Sequence, residues 1–251
     1  MVEHKHSHQC SPQHLCGEHQ LTFKDIHVHY GDVCALRDVS FDISCEHALA
    51  LVGGNGAGKS TLLKSIVGLV PISSGSVTWR GEPVQNATYE IAYLSQRDSL
   101  NYDFPITVEG LVEMGRFEQT GLLGSFSKKD REVVEFAMES MKIIDLRDRQ
   151  FGALSGGQQQ RVFIAQALAQ EAHVLLLDEP FTGLDVPSQE LLSELLKKLV
   201  KEGCLIIASH HDVKTAKHLF DKVLLLNKRV VDYGSVNEVL TDENLKKAFG
   251  Q

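Results

Sequence analysis

Apolar and polar positions alternate in two stretches soon after residue 20. The alternation is carried first by Ile26, Val28 and Tyr30, and then by Val39, Phe41 and Ile43. Because successive side chains of a strand point to opposite faces, this two-residue period predicts two strands, each with one face against a core. On the pattern alone, Tyr30 is either a core residue on the face of Ile26 and Val28 or an aromatic ring with another role.

The rest of the chain alternates between short apolar runs and helical periodicity. Strands are predicted at 48–52, 77–79, 91–94, 174–177, 205–208, 223–226 and 230–233. Helices are predicted after the glycine-rich turn that follows residue 52, at 158–169, at 187–201 and at the C-terminus. Strands that alternate with helices favour an α/β fold with a mainly parallel sheet covered on both faces.

Residues 107–150 have a different character. They show helical periodicity and many charges, and they contain no run that predicts a buried strand. We interpret them as a helical insertion. Together with the start of the next helix, they form a helical subdomain over about 107–165 within a main domain of 21–251.

The composition narrows the functional class. The 251 residues are 43% hydrophobic and 23% charged, and the net charge of −8 disfavours a nucleic-acid binder, since phosphate contacts need a basic face. No apolar run approaches the ~20 residues that a membrane-spanning helix needs, and the N-terminus lacks the apolar stretch of a signal peptide. We therefore expect a chain that stays in the cytoplasm unless a partner carries it to a membrane. Its five irregularly spaced cysteines are expected to be free thiols.

Residues 1–20 stand apart from the rest of the chain. They hold five of the twelve histidines and two of the five cysteines, with no apolar period, so we expect a disordered tail. Imidazole and thiolate are ligands for borderline and soft metals, and the candidates here are His4, His6, His8, Cys10, His14, Cys16 and His19. Their spacing matches no ordered zinc module. Two interpretations stay open: local metal buffering or sensing, and a tail with adventitious metal affinity.

A glycine-rich segment between the predicted strand 48–52 and the next helix fits the pattern G-x-x-x-x-G-K-[ST]. Glycines let the backbone wrap around phosphates with N–H groups pointing inward, and the helix N-terminus favours negative charge. Lys59 places a cation on the outer phosphates, and the hydroxyl of Ser60 is a ligand for Mg²⁺. The predicted nucleotide-binding residues are Gly53, Gly54, Asn55, Gly56, Ala57, Gly58, Lys59, Ser60 and Thr61. The alternative is a glycine-rich turn with an incidental lysine, which the strand and helix on either side disfavour.

Asp178 and Glu179 follow directly after the apolar run 174–177. Open α/β sheets bind ligands at the carboxyl ends of their strands, so this position suits a site. Adjacent residues point in opposite directions and need not share a role. We assign Asp178 to hold Mg²⁺ through water and Glu179 to polarise an attacking water. A surface acidic pair that caps a strand is the alternative, and the phosphate loop elsewhere in the chain disfavours it.

The pentapeptide Leu154-Ser155-Gly156-Gly157-Gln158 stands at the start of a predicted helix. Its hydroxyl, bare backbone N–H groups and positive helix end form a second site for an anion. An ordinary helix N-cap would explain Ser155 but not the complete set of motifs. With this segment, over nearly all of 21–251, the chain resembles the ATP-binding subunits of ABC transporters, for which the pentapeptide is the signature.

This resemblance implies a fold, cofactors and an assembly. The fold is an ABC-type P-loop NTPase domain with a mainly parallel core sheet, an antiparallel β subdomain and a helical insertion. ATP and Mg²⁺ are held in a head-to-tail dimer, in which Ser155, Gly156, Gly157 and Gln158 contact the ATP on the other subunit's phosphate loop. The implied partners are transmembrane permease subunits, a second copy or a homologous ATPase subunit, and indirectly a metal-binding solute-binding protein. The implied location is the cytoplasmic face of the inner membrane.

The resemblance also implies roles for single residues. Tyr30 matches the aromatic residue that stacks on adenine, and Gln96 matches the loop glutamine that senses Mg²⁺ and faces the membrane partner. Asp185 matches the loop aspartate that crosses the dimer interface, and His211 matches the switch histidine that reaches the γ-phosphate. His210 is a rival by adjacency, but the aspartate that follows favours His211.

Two positions depart from the family pattern. Gly54 stands where the family often has proline, which is harmless in a glycine-rich turn. Gln166 replaces the usual arginine, and this loses a charge near the interface. The second change puts details of coupling in doubt, but not ATP binding.

Residues 103–108, followed by Met114, Gly115 and Arg116, resemble the branch of the family that imports manganese, zinc or iron. We therefore predict an ATPase that energises the import of a divalent metal ion. Three alternatives stay open: an importer of another small solute, a non-transport ABC ATPase that works on DNA or ribosomes, and a metal-binding regulatory protein. The single set of motifs, the short insertion and the acidic balance disfavour the second.

Overall fold

The computed structural model describes residues 19–95, 105–121, 125–210 and 213–250. The strands in these ranges are β1 (Gln20–Tyr30), β2 (Val33–Ser44), β3 (Ala48–Val52), β4 (Ser74–Trp79), β5 (Glu82–Pro83), β6 (Ile91–Leu94), β7 (Val174–Leu177), β8 (Leu205–His210), β9 (Lys222–Leu226) and β10 (Val230–Ser235). The α-helices are α1 (Lys59–Ile66), α2 (Val108–Glu113), α3 (Phe117–Thr120), α4 (Lys128–Ser140), α5 (Gly156–Ala169), α6 (Val186–Lys201), α7 (Val213–Leu219), α8 (Val236–Val239) and α9 (Asp242–Phe249). Short 3-10 helices cover Val84–Glu90, Met114–Arg116, Ile144–Leu146 and Phe151–Ala153.

A six-stranded sheet with the order β10-β9-β3-β8-β7-β6 lies at the centre of the fold. Its strands pair in parallel except β10, which runs antiparallel to β9. Every residue of β3 and of β7 is buried, as expected of strands covered on both faces. The predicted mainly parallel core sheet is confirmed.

A second sheet, with the order β2-β1-β4-β5, is antiparallel throughout. Phe23 and Phe41 stack across β1 and β2, with ring centroids 4.2 Å apart, and Trp79 on β4 is buried beneath the same sheet. The alternation of buried positions does not continue to the end of β1, because the β1–β2 register shifts three times. Tyr30 is consequently 50% exposed whereas Val28 is fully buried, so the interpretation of Tyr30 as a core residue is wrong.

The fold includes the last two residues of the segment predicted as a tail. Gln20 already pairs with Ser44 in the β1–β2 ladder, and the Cys45 N–H donates to the His19 carbonyl at 2.9 Å. The His19 ring is buried edge-on against Trp79, with centroids 6.1 Å apart. Because these contacts need His19 and Gln20, the β subdomain begins inside the predicted boundary at residue 20.

The helical insertion is confirmed, with α2 and α4 packed against α5. Arg116, which is 3% exposed, connects the helices of the insertion through its guanidinium group. It donates to Asp130 Oδ1 at 2.9 and 3.0 Å, to the Ala169 carbonyl at 2.9 Å and to Glu171 Oε2 at 2.8 Å. Buried charges require such pairing, so Arg116 fixes the start of α4 to the end of α5. Across the ranges that the structure describes, no helix combines the length and the apolar character needed to span a bilayer.

Candidate functional site

The glycine-rich loop joins β3 to α1 at the carboxyl edge of the parallel sheet. Gly58 is the N-cap of α1 with φ 100°, a conformation that glycine adopts without strain. A Cβ on Gly53 would lie 2.2 Å from the Leu226 carbonyl oxygen, so the loop backbone packs directly against the end of β9. A Cβ on Gly54 would meet no atom closer than 3.9 Å. This clearance agrees with the expectation that glycine or another residue at position 54 is harmless.

Lys59 lies inside this loop, 8% exposed, in the first turn of α1 together with Ser60 and Thr61. Its Nζ donates to the Gly53 carbonyl at 2.8 Å and to the Gly54 carbonyl at 3.1 Å. Burial lowers the pKa of Lys59, and the nearby carboxylates of Glu179 and Asp178 oppose that shift. The loop therefore presents a cation beside bare backbone N–H groups, an arrangement that suits phosphate.

Two carboxylates approach the loop from the end of β7, and their surroundings differ. Asp178 is 1% exposed, and its Oδ1 accepts from Ser60 Oγ at 3.0 Å and from Ser209 Oγ at 2.7 Å. Glu179 is partly exposed, with φ 51°, and its Oε2 accepts from the Thr182 hydroxyl at 3.2 Å. The structure thus brings Ser60 and Asp178 together, as predicted. The Glu179 carboxylate has a different partner, the Thr182 hydroxyl.

The oxygens around Asp178 fit a hard divalent cation. Within the described part of the chain, the buried Asp178 Oδ2 has no hydrogen-bond partner, and the Ser60 hydroxyl lies on the other oxygen of the same carboxylate. Carboxylate and hydroxyl oxygens are ligands that Mg²⁺ accepts. The residues present therefore fit the predicted Mg²⁺ site.

Two residues of this site were missed by sequence reasoning. Ser209 is fully buried at the end of β8 and contacts both acidic positions, since its Oγ also accepts from the Glu179 N–H at 2.7 Å. Tyr93, near the end of β6, lies within the electrostatic influence of Asp178. Burial raises the pKa of the Tyr93 hydroxyl, and the Asp178 carboxylate adds to the shift. The sequence signal for Ser209 was a polar residue directly after the apolar run 205–208, and Tyr93 lies within the run 91–94.

The signature pentapeptide forms the N-terminus of α5, which begins at Gly156, two residues before the predicted start. Ser155 and Gln158 form a capping box: the Gln158 N–H donates to Ser155 Oγ at 3.4 Å, and the Ser155 N–H donates to Gln158 Oε1 at 3.0 Å. One turn later, Gln160 Nε2 donates to the Pro180 carbonyl at 3.2 Å. The signature helix is therefore hydrogen-bonded to the residue that follows Glu179.

The remaining predicted site residues lie in different places. Asp185 is the N-cap of α6; it accepts from the Ser188 N–H at 3.1 Å, and these hydrogen bonds from Ser188 hold the pKa of its carboxyl below the usual range. His210, the rival to His211, is buried in β8 between the rings of Phe181 and Phe220. The predicted residues that fall outside the described ranges are Gln96, His211, His4, His6, His8, Cys10, His14 and Cys16.

His19 is the one candidate of the tail that the structure describes. Its Nδ1 lies 3.4 Å from Arg80 Nη2, and its ring stands edge-on to that of His173, with centroids 6.1 Å apart. Nowhere in the described ranges do three or more histidine, cysteine or acidic side chains form a group suited to a metal ion.

Comparison with known proteins places the chain in one family. A family model described as ABC transporter matches residues 36–182. The manganese transport system ATP-binding protein MntB of Listeria innocua is 41% identical over 230 residues, covering 92% of this chain and 96% of the relative. The chelated iron transport system membrane protein YfeB of Yersinia pestis is 43% identical over 218 residues, covering 86% of this chain and 74% of the relative.

The solved dimeric structure of a bacterial ABC transporter cassette superposes with a TM-score of 0.76 at 25% identity, over 86% of this chain and 98% of that one. The phosphate loop, the paired carboxylates and the signature helix thus occur together on the fold that this family shares. The chain therefore belongs to the ABC transporter family, as one of its ATP-binding and ATP-hydrolysing subunits.

Proposed function

We propose that the chain energises the import of a divalent metal ion (manganese, zinc or iron) through a separate membrane permease. The observation that carries this proposal is the likeness, over about nine-tenths of the chain, to a relative named for manganese transport, joined by a second named for chelated iron transport. The resemblance of residues 103–108 and 114–116 to the metal-importing branch supports the same cargo.

The proposed reaction is Mg²⁺-dependent hydrolysis of ATP. Lys59 binds the outer phosphates, and Ser60 and Asp178, with Gln96, are the residues that would hold Mg²⁺, which when bound neutralises phosphate charge. Glu179 polarises the attacking water as a general base. His211 contacts the γ-phosphate, and Tyr30, whose ring is half exposed at the end of β1, stacks on adenine.

The proposed assembly is a head-to-tail dimer of ATPase subunits. The helix N-terminus of Ser155, Gly156 and Gly157 is accessible in the monomer, with Ser155 exposed, and it suits an anion that the same subunit's loop does not supply. Asp185 is the N-cap of α6, at the end of the loop that follows Glu179. This loop lies close to the signature helix, because a Cβ on Gly157 would be 3.5 Å from the Gly183 carbonyl oxygen.

We propose that the permease docks beside β6, at the cytoplasmic face of the inner membrane. A metal-binding solute-binding protein would act on the opposite side of that membrane. A cleft of about 230 Å³ separates β6 from the helical insertion and is lined by Tyr93, Met114, Gly115 and Gln166, among others. Met114, which lines this cleft, is 40% exposed. A cleft with an exposed apolar side chain among polar groups suits a helical segment of a permease.

Uptake of radioactive metal tests the cargo. A host strain that lacks this chain should lose uptake of ⁵⁴Mn²⁺, ⁶⁵Zn²⁺ or ⁵⁵Fe²⁺, and the wild-type chain should restore uptake while Glu179→Gln should not. If all three uptake rates are unchanged and the purified chain still hydrolyses ATP, the cargo is another solute. If the purified chain does not hydrolyse ATP, the site assignment itself is wrong.

A deletion variant tests whether the histidine- and cysteine-rich tail has a function in metal binding. Because His19 and Gln20 belong to the β subdomain, the deletion should end at residue 18 rather than 20. Equilibrium dialysis of the full chain and of the chain without residues 1–18 measures bound Zn²⁺ or Mn²⁺. Loss of both metal binding and transport on deletion supports buffering or sensing. Loss of metal binding with unchanged transport indicates adventitious affinity.

A further inference from the structure

We propose that Ser209 is a positioning residue that holds the carboxylates of Asp178 and Glu179 in their divergent arrangement, and this rests on the Mg²⁺-dependent ATPase site proposed above. Its hydroxyl donates to Asp178 Oδ1 and accepts from the Glu179 N–H, both at 2.7 Å. One buried hydroxyl thus contacts the side chain of the first acid and the backbone of the second.

The direction of both hydrogen bonds follows from chemistry. A backbone N–H only donates and an ionised carboxylate only accepts, so the single proton of Ser209 Oγ goes to Asp178 and a lone pair receives the Glu179 N–H. Ser209 is 0% exposed, so bulk water does not compete for either group. Hydrogen bonds to an ionised partner away from water are among the stronger ones in proteins.

The Glu179 backbone needs such support. Its φ of 51° lies in the left-handed region, which a residue with a Cβ adopts at a cost. The Asp178 N–H donates to the Leu94 carbonyl at 2.9 Å, and the Thr182 N–H donates to the Glu179 carbonyl at 3.1 Å. Ser209 supplies a further anchor, at the peptide group that links the two acids. This turn sends Glu179 away from Asp178, so that one acid can bind metal while the other meets water.

Ser209 also keeps Asp178 oriented independently of Ser60. Both hydroxyls donate to Oδ1, and Oδ2 has no partner in the part of the chain that the structure describes. Ser60 is assigned to Mg²⁺, so Ser209 is the donor whose only role on this carboxylate is to orient it. Removal of Ser209 should therefore affect the metal-dependent part of nucleotide binding and leave the metal-free part unchanged.

The matched control is Ser65, a buried serine whose hydroxyl is hydrogen-bonded within its own helix. It is 1% exposed, and its Oγ donates to the Leu62 carbonyl within α1 at 2.8 Å. If Ser209 were only a satisfied core serine, Ser209→Ala and Ser65→Ala would have the same effects.

The test compares full-length Ser209→Ala, Ser209→Thr, Ser209→Cys and Ser65→Ala with the wild type. The dissociation constant for ADP is measured by calorimetry with Mg²⁺ and with EDTA, and the exchange rate of the Glu179 amide by NMR. For Ser209→Ala we expect the Mg²⁺-dependent gain in ADP affinity to fall about tenfold, which corresponds to about 1.4 kcal/mol, with unchanged affinity in EDTA. We also expect the Glu179 amide to exchange at least about tenfold faster, since it loses its acceptor.

Ser209→Thr, which keeps the hydroxyl, should restore both measurements, and Ser65→Ala should change neither. Ser209→Cys keeps a side chain of similar size with a weaker donor, so it should give intermediate values even if the alanine variant does not fold. The proposal is overturned if Ser209→Ala, or Ser209→Cys in its place, leaves the Glu179 exchange rate and the Mg²⁺ effect at wild-type values. Absence of any Mg²⁺ effect in the wild type would instead reject the metal site, and the exchange rate would still decide the role of Ser209.

Discussion

At the scale of single residues, the adjacent acids Asp178 and Glu179 lie in different environments. Asp178 is 1% exposed and accepts two hydroxyl donors, whereas Glu179 is partly exposed and leaves the strand with φ 51°. The first environment suits a carboxylate held still for a cation, and the second suits a base that must reach a water molecule.

Glu179→Gln should therefore separate binding from chemistry. We expect the variant to bind ATP as the wild type does, because the amide preserves size and the phosphate loop is untouched. We expect turnover to fall by about 10²–10⁴-fold, the usual contribution of a general base. Phosphate release measured beside ATP binding checks this, and near-normal hydrolysis would falsify the assignment.

Lys59→Ala should have the opposite effect to Glu179→Gln, because it should weaken ATP binding itself. The Lys59 ammonium lies 2.8 Å from the Gly53 carbonyl and neutralises phosphate charge that is present before any reaction. We expect affinity for ATP itself to fall, as measured by calorimetry. Equal affinities for the variant and the wild type would contradict the phosphate-loop interpretation.

At the scale of elements, the phosphate loop is shaped by the strands on either side of it. The Lys228 N–H donates to the Ala57 carbonyl at 2.8 Å, and the Arg37 N–H donates to the Lys228 carbonyl at 2.7 Å. These bonds connect the loop through the β9–β10 turn to β2, so the loop is anchored on both sheets. Its glycines are needed where this anchoring brings backbones close together.

Gly53→Ala and Gly54→Ala make a matched pair in this loop. The Cβ at position 53 would lie 2.2 Å from the Leu226 carbonyl oxygen, so we expect a loss of about 1–3 kcal/mol in the free energy of unfolding and weaker ATP binding. The Cβ at position 54 has 3.9 Å of clearance, so we expect a change within about 0.5 kcal/mol. Chemical denaturation of both variants measures the difference, and equal stability would show that the approach of β9 does not constrain the loop.

The helical insertion depends on a different kind of contact, the buried charges around Arg116. Arg116→Ala would leave Asp130 and Glu171 without their main cation, and breaking such a network typically costs about 3–5 kcal/mol. The control is Lys128→Ala, because the Lys128 side chain is 93% exposed and its 3.6 Å pair with Glu132 should add little. Urea denaturation should show a large loss for the first variant and almost none for the second. Equal midpoints would mean that Arg116 does not hold the insertion in place.

At the scale of the whole molecule, the two proposed anion sites lie on different elements. The phosphate loop precedes α1 in the sheet layer, and the signature begins α5 in the helical layer. In the proposed head-to-tail dimer, each ATP would be enclosed by the loop of one subunit and the signature of the other.

Crosslinking tests this geometry directly. Cysteines introduced by Ser60→Cys and Gly157→Cys, in a chain without its five native cysteines, should join between subunits when ATP is trapped by Glu179→Gln. The expected product on a non-reducing gel is a covalent dimer that depends on ATP and on both new cysteines. A crosslink formed only within one chain would reject the shared site, and Ser155→Arg should abolish the dimer by opposing closure.

The sequence by itself determined the features that are contiguous along the chain. The strand–loop–helix of the phosphate loop, the apolar strand that ends in Asp178 and Glu179, and the signature at a helix start each occupy fewer than twenty consecutive residues. Local periodicity and local chemistry suffice for such features, so the fold class and the family could be predicted. The exposure of Tyr30 could not, because it depends on register shifts against another strand.

Tertiary structure alone decided which distant residues meet. Ser60 and Asp178 are 118 positions apart and Ser209 and Asp178 are 31 apart, yet one carboxylate oxygen accepts from both hydroxyls. The local pattern does not show which groups Ser209, His210 and Arg116 contact, because a serine, a histidine or an arginine acquires its role only from the groups that burial places around it. The parallel sheet produces these meetings, since it brings the carboxyl ends of β3, β7 and β8 to a single edge.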